Sequence, residues 1–160
     1  MNLLVEFHPA VVHVPIAFFM LATAAGLLYL FWQQRETLRL LTWIPMLLGE
    51  IAGVVAVLSG LLAQSGLPPQ AAYRSTLNLH IGMGLAQLVV YGFLLYRRWL
   101  FDKAKARHAR EAAGVDYADQ LNDPGARWWI ALLLILGALL VLLTGWNGGL
   151  LVYRWGVNVG

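Results

Sequence analysis

Residues 128–143 read WWIALLLILGALLVLL, a run of sixteen residues that contains no charged side chain. Extended to about 20 residues, such a run is long enough for an α-helix to cross the roughly 30 Å hydrocarbon core of a bilayer. Three further apolar blocks precede it. The four predicted spans are 10–32, 40–63, 77–97 and 127–146. We therefore predict an all-α integral membrane four-helix bundle that forms one domain over residues 1–160.

The composition agrees with a membrane protein. Of the 160 residues, 60% are hydrophobic and 12% are charged, and the mean hydropathy is +0.68, which is too apolar for a soluble globular domain. The absence of cysteine excludes disulfides, iron–sulfur clusters and covalent c-type haem attachment. The first apolar block lacks a positive flank and is too long for a cleavable signal, so we expect it to remain as a spanning helix.

The positive charges predict the orientation of the bundle. Nine of the eleven lysines and arginines lie in, or directly beside, the two connections that follow spans 1 and 3, the second being the loop 98–126. The positive-inside rule places both connections in the cytoplasm, with up-down-up-down spans and both termini in the periplasm of a bacterial inner membrane. Beside membrane spans, the basic run indicates orientation and not nucleic-acid binding. The first half of this basic run has the composition of a helix that lies along the anionic leaflet. At the other end of the bundle, residues 144–160 are expected to fold back over the outer face.

Two histidines on different spans are predicted to lie at the same depth. His13 and His80 each precede a tryptophan, Trp32 and Trp99, by nineteen residues, or roughly 28 Å of helix. In an up-down-up-down bundle, spans 1 and 3 are diagonal partners that run the same way. The two imidazoles would then face each other near the outer surface, which is the arrangement that a bis-imidazole haem needs.

Other side chains near the outer surface suit a haem site. Gly82 and Gly84 follow His80 and would let a flat ring approach the backbone. Haem propionates are anionic and would point to the outer interface, where arginine forks bind carboxylates well. The candidates to meet them are Arg74, Arg154, Tyr73 and Tyr153.

Other roles for the histidines stay open at this point. His8 could replace His13 as the ligand, cap the helix or bind a second metal. Two matched imidazoles could also hold copper or zinc, although a closed zinc site needs four ligands. Histidines at a span boundary are also commonly bonded to a carbonyl or to water. His108, in the basic segment, is expected to be solvated.

Glu50 lies near the middle of span 2, where an ionisable group is costly and is by default a functional candidate. With Gln87 as its neighbour, it could accept a proton beside a quinone or along a proton path. The alternative is a protonated Glu50 that hydrogen-bonds Gln87 and locks two helices together. The sequence shows no nucleophile–base pair, phosphate loop or HExxH motif, which favours a redox carrier or subunit over an enzyme such as a hydrolase.

Three stretches resemble one family: HPAVVHVPIAFF at 8–19, LNLHIGMG at 77–84 and TGWNGGLLVYRWGVNVG at 144–160. The sequence is similar to the small four-helix predicted membrane proteins catalogued as domain of unknown function 2231, although Val14 stands where phenylalanine is usual. Some members are fused to Rieske or c-type cytochrome modules, so the resemblance implies an association with redox chains. The residues matching the family pattern are His8, His13, His80, Gly148, Gly149, Val152 and Tyr153.

Together these features predict a membrane electron-transfer subunit that binds haem b, one or two groups per chain, near the periplasmic face. A quinone is a further candidate ligand. The expected partners are the lipid bilayer and redox proteins such as c-type cytochromes, within a larger membrane complex and without nucleic acid. One alternative is a cofactor-free scaffold subunit of a respiratory or photosynthetic complex. Another is a small metal carrier or transporter that uses His8, His13 and Glu50.

Overall fold

The computed structural model describes residues 3–115, 117 and 119–157, with only the backbone for residues 3–6. The described residues form helices joined by turns and loops, without strands, which confirms the all-α class. The helices are α1 (Leu3–Val11), α2 (His13–Phe31), α3 (Glu36–Ala63), α4 (Arg74–Asp102), α5 (Ala104–Ala112) and α6 (Arg127–Tyr153), with a 3₁₀ turn at Gln120–Asn122.

Four helical stretches are long and apolar enough to cross a membrane: Phe7–Phe31, Glu36–Ala63, Arg74–Asp102 and Arg127–Tyr153. The prediction of four membrane-capable helices is thus confirmed, and most of these helices extend past a predicted limit at one end or both. Apolar blocks mark only the part of a helix that lies in hydrocarbon, whereas backbone hydrogen bonds carry the helix on through polar flanks.

The predicted fold-back of residues 144–160 is largely wrong, because α6 continues to Tyr153. The turn comes later, at Gly156, which adopts a left-handed φ of 61° that favours glycine. There the Val157 N–H donates to the Leu151 carbonyl at 2.9 Å. Val157 then packs on Leu77 and Leu151, so only a short segment covers this end of the bundle. Residues 158–160 lie outside the described part of the chain.

The core forms where α2 and α4 meet between α3 and α6. The Phe19 and Tyr91 rings stack with their centres 4.1 Å apart, and both are fully buried. The hydroxyls of Thr23 and Tyr91 are joined by a 2.8 Å hydrogen bond. A Cβ added at Gly137 of α6 would lie 2.7 Å from the Tyr91 ring, so α6 can approach this ring only with glycine there. Large apolar side chains cover the outward faces of the spans, where they contact the lipid bilayer.

The two basic connections meet at one end of the bundle, which we call the basic end. The Asp119 carboxylate is buried there and accepts hydrogen bonds from Trp43 Nε1 at 3.2 Å, Arg39 Nη1 at 3.1 Å and the Leu121 N–H at 2.9 Å. The Arg98 guanidinium lies over the Trp43 ring at 4.7 Å. This carboxylate therefore fastens the α4–α6 loop to the start of α3.

We expect Gly137→Ala to destabilise the protein by about 1 to 3 kcal/mol, because the new methyl group would displace the buried Tyr91 ring. Gly145→Ala is the matched control on the same helix, since nothing lies within 4 Å of a Cβ at Gly145. Thermal unfolding of the two variants in detergent measures the difference. Equal melting temperatures would show that α6 does not pack against Tyr91 as described.

We expect Asp119→Ala to cost about 2 kcal/mol or more, because it leaves the buried Trp43 N–H without its acceptor. Asp102→Ala is the control: its carboxylate is 53% exposed and lies 3.7 Å from Arg98, a pair worth about 1 kcal/mol at most. Denaturant titration compares the two variants. A loss for Asp102→Ala as large as for Asp119→Ala would contradict the fastening role.

Candidate histidine site

Two imidazoles meet at the end of the bundle opposite the basic end. The ring centres of His8 and His80 lie 6.3 Å apart and the ring planes are nearly perpendicular, at 88°. His8 belongs to α1 and lies against Ser59 of α3, about 24 Å along that helix from Trp43. His80 belongs to α4 and lies against α6. The structure therefore brings together one histidine from each half of the chain.

Both rings are oriented by carbonyl groups of the facing helix. His8 Nδ1 lies 3.0 Å from the Ala56 carbonyl oxygen and 3.0 Å from Ser59 Oγ, and His80 Nδ1 lies 2.9 Å from the Thr144 carbonyl oxygen. A carbonyl oxygen only accepts, so Nδ1 carries the hydrogen and donates it. In the neutral rings, each Nε2 then keeps a lone pair, which is the state of a metal-ligating histidine whose other nitrogen is held by a carbonyl.

A glycine lies against each imidazole. A Cβ at Gly60 would lie 2.9 Å from His8 Cε1, and a Cβ at Gly148 would lie 3.1 Å from His80 Cε1. A side chain at either position would push the ring away from its carbonyl partner. These two glycines therefore let α3 and α6 approach the rings closely.

The surroundings of the two histidines repeat each other. Residues 56–60 read AVLSG and residues 144–148 read TGWNG. In both, the first residue supplies the carbonyl acceptor and the glycine one turn later lies against the ring. The repeat therefore relates α1 and α3 to α4 and α6, with His8 equivalent to His80. Sequence reasoning missed this signal because it compared only the helices that carry the histidines.

The structure does not place His13 opposite His80, as the sequence had predicted. His13 is exposed, and its Nδ1 donates to the Pro9 carbonyl at 2.9 Å, within its own segment. The prediction treated span 1 as one helix beginning near Pro9. Instead the helix begins earlier, at Leu3, and the chain passes through Val12 with helical dihedrals, without the hydrogen bond that Pro15 has no N–H to make. Five residues separate His8 from His13, so their side chains point about 140° apart around the helix axis. His8, and not His13, faces the interior.

The glycines after His80 do not border the imidazoles. No atom lies within 4 Å of a Cβ added at Gly82, and a Cβ at Gly84 would make an ordinary contact of 3.8 Å with Thr144. The expected close approach therefore involves different glycines, Gly60 and Gly148. The sequence marked Gly148 only as a match to the family pattern and did not mark Gly60, because the contact of each glycine with a ring depends on which helix lies opposite.

The side chains expected to meet haem propionates have other contacts. Arg74 donates from Nη2 at 2.8 Å and 3.0 Å, and from Nε at 3.2 Å, to carbonyl oxygens of residues 67–68, and so closes the α3–α4 loop. Arg154 lies over the neighbouring tryptophan ring at 5.2 Å. Tyr153 is 92% exposed, and Tyr73 packs in an apolar cluster.

The family described as "Predicted membrane protein (DUF2231)" matches residues 5–160. The chain belongs to this family. The resemblance based on residues 8–19, 77–84 and 144–160 is thereby confirmed. No curated protein and no solved structure matches this chain.

Glu50 and Gln87 both carry buried oxygens with no hydrogen-bond partner among the described residues. These are Glu50 Oε2 and Gln87 Oε1, and Thr144 Oγ1 is a third. Glu50 Oε1 faces α4, 3.1 Å from the position of a Cβ at Gly92. No described hydrogen bond joins Glu50 to Gln87. Buried oxygens of this kind are normally hydrogen-bonded to water or to a ligand. A role of Glu50 and Gln87 beside a quinone or along a proton path stays a prediction.

The pair of imidazoles stands without further ionisable ligands. Across residues 7–115, 117 and 119–157, no three His, Asp or Glu side chains gather into a group that could hold a metal ion. A metal at this pair would therefore take its remaining ligands from outside these side chains.

We expect Gly148→Ala in this DUF2231 protein to displace His80 from the Thr144 carbonyl, because the new methyl group would lie 3.1 Å from the ring. The ¹⁵N NMR signals of His80 should lose the pattern of a fixed Nδ1–H tautomer, with a stability loss of about 1 kcal/mol. Gly149→Ala is the adjacent control, since its Cβ would meet only Tyr153 of its own helix, at 4.0 Å. Unchanged His80 signals in Gly148→Ala would contradict the described contact between Gly148 and the His80 ring.

Proposed function

We propose that this protein is a b-type haem-binding electron-transfer subunit of the bacterial inner membrane, with His8 and His80 as the axial ligands. The supporting observation is the separation of the two ring centres, 6.3 Å. With metal–nitrogen bonds of about 2 Å, and each ring centre roughly 1 Å behind its nitrogen, imidazoles on opposite sides of one metal have centres about 6 Å apart. His13 lacks such a partner among the described residues and is not part of the proposed site.

The number of ligands favours haem over a bare ion. Two imidazoles are too few for a closed zinc site, whereas His8 and His80 could together hold a haem, which would supply nitrogen ligands of its own and one-electron chemistry. The hydrogen bonds to the Ala56 and Thr144 carbonyls hold the two rings in place and make each Nε2 a better electron donor. Gly60 lets α3 lie close to the His8 ring, and Gly148 lets α6 lie close to the His80 ring, so that both hydrogen bonds can form.

The charge distribution supports the orientation of the site. If the basic end lies in the cytoplasm, as the positive-inside rule predicts, the bundle is up-down-up-down and the histidines lie near the periplasmic face. The protein would then exchange electrons with a redox partner there, such as a c-type cytochrome, within a larger membrane complex. The unpartnered oxygens of Glu50 and Gln87 support a role for these side chains beside a quinone or along a proton path.

Optical spectra of purified protein test the proposal. After expression with adequate haem, dithionite should produce the reduced α-band of a b-type haem. His8→Ala and His80→Ala should each lose most of the bound haem, because one axial ligand is removed in each.

His13→Ala and His108→Ala are the controls and should keep the spectrum, since both rings are exposed and lie outside the pair. A colourless wild-type preparation would favour a cofactor-free scaffold, in which the same hydrogen bonds only join helices. Loss of haem in His13→Ala with retention in His8→Ala would contradict the ligand assignment.

A further inference from the structure

Two cavities adjoin at the basic end, far from the histidines. The first has a volume of about 230 Å³ and lies between the end of α4, α5 and the loop before α6. The second, of about 390 Å³, opens between α4 and α6. Arg97 and Trp129 line both. The two cavities therefore meet at these two side chains, and we treat them as the two compartments of one candidate site.

The first compartment is polar and basic. Arg97 and Arg110 line it, together with one carboxylate, Asp123, whose Oδ1 accepts the Gly125 N–H at 2.9 Å. Aromatic and backbone contacts hold both guanidinium groups. Arg110 lies 3.6 Å over the Phe101 ring and donates from Nη1 to the Phe101 carbonyl at 2.8 Å. The Arg97 guanidinium lies 5.6 Å from the centre of the Trp129 ring. The compartment therefore favours an anion with several acceptor oxygens.

A buried amide also lines this compartment. Gln120 is only 3% exposed, so the two arginines supply the accessible hydrogen-bond donors of the compartment.

The second compartment is apolar and faces the bilayer. Besides Arg97 and Trp129, its lining consists of Phe93, Leu132 and Leu133. Leu132 is 65% exposed and Phe93 is 45% exposed. Side chains so exposed on membrane-spanning helices contact acyl chains. A ligand in both compartments therefore needs an anionic head joined to a hydrocarbon tail.

We propose that this site binds an anionic phospholipid such as phosphatidylglycerol. Its phosphodiester lies between Arg97 and Arg110, and an acyl chain occupies the apolar compartment. Basic cavities between spanning helices are suited to such headgroups. The bound lipid ties the α4–α6 loop to the membrane-facing side of α4 and α6. This role is independent of any haem at the opposite end.

Native mass spectrometry of the full-length protein in detergent, titrated with phosphatidylglycerol, tests the proposal. Arg97→Gln combined with Arg110→Gln should weaken binding about tenfold or more. The matched control is Lys105→Gln with Arg107→Gln, which removes the same charge from exposed positions of α5 that do not line either cavity. Leu132→Trp should also weaken binding, because it fills the apolar compartment while both arginines remain.

The lipid comparisons decide the outcome. Phosphatidylcholine with the same acyl chains should bind at least about tenfold more weakly, and inorganic phosphate should not compete at the concentrations used. Equal binding of phosphatidylcholine would overturn the headgroup assignment. Full competition by inorganic phosphate, or binding unaffected by Leu132→Trp, would reduce the site to one for free anions. Equal losses in the two double variants would indicate general charge attraction and would also overturn the proposal.

Discussion

The hydrogen bond from a histidine Nδ1 to a carbonyl of the facing helix is the interaction on which the proposed site depends. It occurs twice, from His8 to Ala56 and from His80 to Thr144. A spanning helix satisfies its own carbonyls internally, so a carbonyl that accepts a second hydrogen bond fixes both the side chain and the distance between two helices. The bond also decides which ring nitrogen keeps a lone pair. Helix packing and the chemistry of the imidazoles thus follow from one contact.

The same contact explains the internal repeat. In each half of the chain, the acceptor carbonyl and the glycine beside the ring are separated by one helical turn. Two similar helix pairs therefore present similar imidazoles to each other, and a site that is shared between them has one ligand from each. At the basic end the two halves differ, because the α4–α6 loop adds Asp119 and the arginine-lined cavity. The two ends are accordingly suited to different ligands.

Much of the fold could be predicted from the sequence because an uncharged apolar block of about 20 residues is typical of a spanning helix. The limits of the spans could not be predicted, since helices such as α6 continue through residues 144–153, where hydropathy falls. The type of candidate site was also predictable: histidines from spans 1 and 3 near one end. The choice between His8 and His13 could not be predicted, because it depends on where the first helix begins and on which side of α1 packs against α3. Likewise, only tertiary packing shows that Gly60 and Gly148, and not Gly82 and Gly84, lie against the rings.

The proposed haem site requires His8 and His80 to be axial partners with nearly perpendicular ring planes. The most direct measurement is the electron paramagnetic resonance spectrum of the oxidised, haem-loaded protein. We expect a low-spin ferric signal with the strong anisotropy that perpendicular axial imidazoles produce, and its loss in His8→Ala. A high-spin signal in the wild-type protein, or a low-spin signal that survives His8→Ala unchanged, would contradict this assignment.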